Sequence, residues 1–410
     1  MASDVLPAEM LSEIFSRLPP QSLLRFRSTS KSLKSIIDSH NFTNLHLKNS
    51  HNFNLILHHN TNLYQLHFPN LTTVIPLNHP LSHTNHIKLF GSCNGLFCIS
   101  SKAEIAFWNP NIRKHRIIRH LPISVPQSDI NIHFAFSIHG FGFDPFSSDY
   151  KLLRISWFVD VQNLTFDSCV RLFTSKTNSW KVLPSIDYVL CYAQTMGVFV
   201  ENSLHWIMVK KPDGLHPRII LAFNLTLEVF NEVPFPDEIG GEEVICNRSF
   251  EISVADLGGF LCMIVNYQTT KIDVWVMKEY GCKDSCCKLF TLVESCFVLP
   301  VISLSPLGYS SDGKKVLLKV NHKKLVWYDL KSEKVSYVEG IPNFDEAVIC
   351  VGSLVPPSFP VDNSRKKENQ TRKSKRYFLS IMYKLISIQR THHMIYVVKL
   401  YVKGQIEFLL

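Results

Sequence analysis

Between residues 8 and 38 the apolar positions recur with the spacing of a helix. Leu11, Ile14, Phe15 and Leu18 fall at i, i+3, i+4 and i+7, the stripe of an amphipathic helix. Pro7 suits its first turn, with Ser3 or Asp4 upstream as caps. Pro19 and Pro20 end that helix, and Pro20 opens a second, in which Leu23, Leu24 and Phe26 are apolar and Arg25 and Arg27 carry charge. A third fits Ser30 to Asp38, with Ser30 as cap and Leu33, Ile36 and Ile37 on its apolar side. Three short helices in about 40 residues enclose too little core to be comfortably stable alone. Their apolar surplus therefore packs on the rest of the chain or docks a partner.

From about residue 50 the pattern changes to short apolar runs bounded by Gly, Pro, Asn, Asp or Ser, the signature of strands. One arrangement repeats: an apolar run, then a segment with an aromatic anchor, a polar turn and a further apolar stretch. The runs are "GLFCIS" at 95, "KLLRISWFV" at 151, "SLHWIMV" at 203, "FLCMIV" at 260 and "KVLLKV" at 315. The anchors Trp108, Phe173, Phe223, Trp275 and Trp327 are spaced by 65, 50, 52 and 52 residues. A period near 50 predicts a kelch-like β-propeller of about six blades. The last blade would join "NFNLILHHNTNLYQLHF" at 52 to "AVICVGSLV" at 347. The anchors, together with Trp180 and Trp206, read as blade core rather than a binding face. Recognition falls instead to the long connections around 122–138, 158–168, 185–194, 210–217 and 236–248.

The expected organisation is an all-α bundle over residues 1–48, the all-β propeller over 50–355, and a basic linker with a C-terminal extension over 361–410. Composition supports a packed body: of 410 residues 46% are hydrophobic and 19% charged, with 28 Phe. The formal charge of +9 is concentrated in "RKKENQTRKSKR" from Arg365, so it does not describe a nucleic-acid groove on the body. That cluster resembles a nuclear-import signal, and a cytoplasmic or nuclear location is expected. The apolar stretch beyond it has no place in the repeat and is expected to be poorly ordered. The N-terminus lacks the pattern of a secretory signal, the eleven cysteines are scattered, and no apolar run reaches about 18 residues. Free thiols and no membrane association follow.

Catalytic chemistry finds no foothold. Cys282, Cys286 and Cys287 lack the second ligand pair of a zinc site, and His79, His83 and His86 lie in a Pro- and Asn-rich stretch. "GFGFDP" from Gly140 has neither the strand-to-helix context nor the Lys-Ser/Thr of a phosphate loop. No metal, no cofactor and no enzymatic site are expected.

The first 42 residues carry a resemblance. Leu6-Pro7, Glu9, Ile14, Leu18-Pro19, Leu23-Leu24-Arg25-Phe26, Ser30-Lys31, Ile37 and Phe42 stand where the F-box pattern places them. The resemblance implies docking to a Skp-type adaptor, and through it to a cullin, by way of Leu6, Pro7, Ile14, Leu18, Pro19, Leu23, Phe26 and Lys31. Leu33 and Phe15 replace the Trp and Leu common in the family, which predicts weaker docking. The body, in turn, resembles the plant F-box-associated interaction domain through "GSCNGLFCI", "FWNPNIRKHR", "GFGFDPFSSDYKLLRI" and "KLVWYDLKSEKVSYV". Together they imply a non-catalytic substrate receptor of a Skp-cullin-F-box ubiquitin ligase, with a protein substrate held by the propeller. The alternative is a ligand- or glycan-binding propeller that retains a vestigial F-box.

Overall fold

The computed structural model describes residues 7–357 apart from the segments 82–85, 124–131, 161–164, 192–195, 211–217, 240–249, 268–270, 294–296, 298–299 and residue 322. Leu6, His83 and the expected linker and extension at 361–410 lie outside the described residues.

Four helices open the chain: α1 (Ala8–Phe15), α2 (Pro20–Arg27), α3 (Lys31–Ile37) and α4 (His40–Asn49). Pro7 stands just before α1 and Pro20 opens α2, positions where a missing N–H costs no hydrogen bond. The Ser30 side chain caps α3 by accepting from the Leu33 N–H at 3.1 Å. The sequence pattern predicted three helices and missed α4. Its segment "HNFTNLHLKN" has few strong helix formers and only a weak stripe. Packing of Phe42, Thr43 and His46 stabilises it, and Ser39 caps it.

Six antiparallel sheets follow, arranged as a closed six-bladed propeller. Blades 2 to 6 each come from consecutive strands: Lys88–Arg119, Ile132–Leu183, Tyr188–Val233, Glu251–Val293 and Leu304–Tyr337. Blade 1 is assembled from both ends of the domain, as expected. Its innermost strand Glu346–Val351 pairs with Phe53–His59, in the register Leu55 to Ile349 and Leu57 to Ala347. Closing the ring with the last of the described strands leaves no open inner edge at the seam.

Each middle strand is buried on both faces because it is sandwiched between neighbouring blades. In Leu96–Ser100 every residue is buried: Phe97 and Ile99 pack toward blade 1, Leu96 and Cys98 toward blade 3. Leu55 and Ile56 divide the same way between blades 6 and 2. A period-two alternation between two apolar interfaces reads in sequence as an unbroken apolar run. All five aromatic anchors sit on the third strand of their blades, and Trp108, Phe173, Phe223 and Trp275 are buried between blades. The 65-residue interval reflects blade 3, whose first two strands, Ile132–Asp144 and Asp149–Asp160, are 13 and 12 residues long. Residues 132–138, expected as loop, are therefore strand.

Candidate functional site

The helical module has two apolar faces with different fates. On the inner face Leu23, Ile37 and Phe42 are buried against Leu354, with Ile112 flanking them. Leu354 follows the ring-closing strand, and Ile112 lies in a turn of blade 2. The Ser50 hydroxyl donates to the Gly352 carbonyl at 3.1 Å, and Leu47 of α4 reaches the core between blades 2 and 3. Within the module the Asn49 amide donates to Ser16 at 2.9 Å. Arg27 of α2 grips Asp38 with both nitrogens, Nη2 at 2.9 Å, and this hydrogen bonding holds the Asp38 carboxyl below its usual range.

The outer face is left uncovered. Met10, Ile14 and Phe26 are 52%, 50% and 40% exposed. Phe15 stacks on Phe26 with ring centroids 5.3 Å apart and planes 13° from parallel, so the substitution of Phe for the commoner Leu builds an aromatic pair joining α1 and α2. Leu33 is partly buried in the inner cluster. Of the residues expected to meet an adaptor, Pro7, Ile14, Pro19, Phe26 and Lys31 are exposed, and Leu18 is half-buried. Leu23 is fully buried and serves as core under α2, not as surface. Met10 went unnoticed in the sequence, although it precedes Ile14 by four residues and so shares its face.

The two ends of the propeller differ. The module sits at the end carrying the tight turns Asn94-Gly95, Glu201-Asn202 and Gly258-Gly259, where the chain needs positive φ. At Gly95, with φ +79°, a Cβ would overlap Ser353, so this turn closes directly on the segment leaving the ring. The connections expected around 122–138, 158–168, 210–217 and 236–248 leave and re-enter at the opposite end, bracketed by Arg119 and Ile132, Asp160 and Thr165, Lys210 and Arg218, and Val233 and Glu251, whereas 185–194, expected as loop, holds the strand Tyr188–Leu190 of blade 4. Phe134 and Ile302, 38% and 71% exposed, also lie at that far end.

Polar groups lock adjacent blades at the module's end. Lys151 is buried with its ammonium 3.0 Å from Asp144, 3.0 Å from Glu228 and 2.6 Å from the Leu225 carbonyl oxygen. Burial would raise the Asp144 carboxyl, but hydrogen bonds from Ser147, Thr226 and Lys151 prevail and draw it down to about 2. The "GFGFDP" stretch is thus part of this joint: Gly142 faces Phe199 and Leu225 of blade 4, with no room for a Cβ. Cys286 and Cys287, adjacent on one strand, pack into different interblade cores and cannot face one ion together. Among the described residues no group of three His, Cys, Asp or Glu stands ready to hold a metal, and no helix is long and apolar enough to cross a membrane.

Comparison with known proteins matches residues 4–45 to the F-box domain and residues 47–351 to the F-box associated β-propeller domain. The F-box protein CPR1 of Arabidopsis thaliana is 33% identical over 371 residues, covering 85% of this chain and 88% of that protein. The Arabidopsis F-box protein At4g22390 is 29% identical, covering 92% of this chain and 98% of its own length. The Arabidopsis F-box/kelch-repeat protein At3g23880 is 25% identical over 86% of this chain and 96% of that protein.

Proposed function

Because the chain belongs to the family of F-box proteins with an F-box associated β-propeller domain, we propose that it is the substrate-recognition subunit of a Skp-cullin-F-box ubiquitin ligase. Its F-box would hold a Skp-type adaptor and, through it, a cullin. The propeller would hold a protein target, and the protein acts in the cytoplasm or nucleus. The observation that carries this reading is the uncovered face of Met10, Ile14 and Phe26, on the side of the module away from the buried Leu23, Ile37 and Phe42. An apolar face left open while its opposite is sealed onto the propeller has the character of a docking surface.

The far end of the propeller, with its long connections, supports a substrate-binding role. The packing of α4, Ser50 and Leu354 then fixes that end relative to the adaptor, and tethering raises the effective concentration of target near the transfer machinery. Covalent chemistry is left to enzymes elsewhere in the complex. Co-purification with a Skp-type adaptor tests the reading. Wild type should bind, an Ile14→Asp, Phe26→Ala double variant should not, and failure of a folded wild type to bind overturns it.

A further inference from the structure

The strand that closes the ring, Glu346–Val351, is fastened differently at its two ends. Toward the helical module it runs on into Ser353 and Leu354, both buried. At the far end it is held by histidines of its partner strand Phe53–His59. His58 is buried, with its side chain 4% exposed, and each ring nitrogen faces an oxygen that can only accept. Nδ1 lies 3.2 Å from the Glu346 carboxylate and Nε2 lies 2.9 Å from the Asn60 carbonyl. The Asn60 carbonyl also accepts from the Ile87 N–H at 3.0 Å, and the His58 carbonyl accepts from the Asp345 N–H at 2.8 Å. One ring therefore joins the closing strand, the first hairpin turn and the chain's entry into blade 2.

A neutral imidazole has one N–H. At His58 it would turn the lone pair of the other nitrogen toward an oxygen, so only the doubly protonated ring meets both acceptors. His59, next along the strand, is built the other way. Its Nδ1 meets the Asp345 carboxylate at 2.8 Å, and its Nε2 meets the Asn60 side-chain amide at 3.1 Å, a donor that the neutral ring accepts. Other titratable groups face His58 from each neighbouring segment: Glu346 on the closing strand and Asp345 just before it, His79 after the third strand of blade 1, and His86 with its ring centre 6.3 Å away. Glu346 acts in turn on Lys319 of blade 6, whose pKa burial lowers against the pull of that carboxylate. Burial works to lower the His58 pKa, but the hydrogen bonds to Glu346 and the Asn60 carbonyl, with the charges of Glu346 and Asp345, raise it above its ordinary value. Burial lowers His79, and the charge of His58 adds to that effect.

We propose that His58 is a pH-sensitive latch on the ring-closing strand: its imidazolium fastens Glu346 to the Asn60 turn, and loss of the proton releases the far end of the strand while the module's end stays sealed. The folded state binds this proton more tightly than the unfolded chain does. The latch's contribution is therefore complete below the ordinary His value of about 6.5 and is lost as pH rises through the higher folded value. The released end lies at the same end of the propeller as most of the long connections. The latch stands on these contacts alone and does not depend on adaptor binding.

Hydrogen exchange of the full chain from about pH 6 to about pH 8.5 tests it, read as protection factors so that the intrinsic pH dependence of exchange cancels. In wild type, protection of Glu346–Val351 should fall several-fold over this range relative to residues 152–155 in blade 3. His58→Gln should remove that dependence and Lys319→Met should keep it, which assigns the proton to the histidine rather than the lysine. Glu346→Gln changes a side chain that is 37% exposed, so it is the variant that reports on the latch if His58→Gln fails to fold, and it should flatten the dependence as well. A pH-independent ratio in wild type, a dependence that survives in His58→Gln or Glu346→Gln, or one that is lost in Lys319→Met, overturns the latch.

Discussion

The buried imidazole of His46 donates from Nε2 to the carbonyl oxygen of Leu18 across 3.0 Å. A carbonyl only accepts, so the ring is held as the Nε2–H tautomer, and α4 is tied to the turn that leads into α2. Burial lowers the His46 pKa against the effect of this hydrogen bond. His46→Leu should cost about 1 kcal/mol, since it leaves the Leu18 carbonyl without its donor. Faster amide exchange in α1 and α2 than in the propeller would locate the loss in the module.

Acid should weaken the propeller through His205. Its Nδ1–H donates to the Val198 carbonyl at 3.0 Å, which in the neutral ring leaves Nε2 to accept from the Tyr280 hydroxyl at 2.7 Å. Burial lowers its pKa to about 4. The unfolded chain, titrating near the ordinary His value of about 6.5, binds the proton first. Stability is therefore full above about pH 6.5 and falls as pH drops toward 4, by about 3 kcal/mol for this group. Burial of His58 works to lower its pKa, but hydrogen bonds to Glu346 and the Asn60 carbonyl raise it, so its contribution has the opposite sign and is lost as pH rises. Denaturant midpoints from pH 7 to 4.5 should fall in wild type and fall less in His205→Gln.

Leu23 and Phe26 lie three residues apart on α2 and should separate folding from docking. Leu23→Ala empties a fully buried position and should cost about 2 to 5 kcal/mol. Phe26→Ala removes a ring that is 40% exposed and stacks on Phe15, so it should lower the melting temperature less than Leu23→Ala does while reducing adaptor capture. Thermal melts run beside co-purification distinguish the two effects.

Removing the Lys151 charge should be severe. Lys151→Met strands the Asp144 carboxylate, which is buried, and leaves Glu228 with only its exposed partner Lys181. A loss of about 3 to 5 kcal/mol is expected, readable as a lower urea midpoint. Lys151→Met with Asp144→Asn should recover part of it.

Truncation before Glu346 deletes the inner strand of blade 1 and the Leu354 that packs under α2. The shortened chain should lose cooperative unfolding and bind hydrophobic dyes, because Leu55, Leu57 and their neighbours become exposed.

How far the sequence could be read depended on how local the determining interactions are. The helices α1 to α3 were legible because their apolar stripes, prolines and the Ser30 cap act within a few residues. The helix α4 was not, since Phe42 and His46 are held by contacts distant in the chain. Repeat spacing pointed to a propeller, and the apolar run at 347 correctly joined the strand at 52. The length of blade 3 was hidden because residues 132–138 carry no clear turn boundary or repeat mark. Among the expected docking residues, exposure separated Ile14 and Phe26 from Leu23, a distinction that helical periodicity on one element cannot make when both of its faces are apolar.

The sequence by itself determined the kinds of element, their repeat and the two-part organisation, because propensity, capping and alternation are written in neighbouring residues. Only the tertiary structure decided which apolar face of the module is sealed and which is open, and which end of the propeller gathers most of the long connections. Those outcomes depend on how strands far apart in the chain stack around a ring, and on the closure supplied by Glu346–Val351.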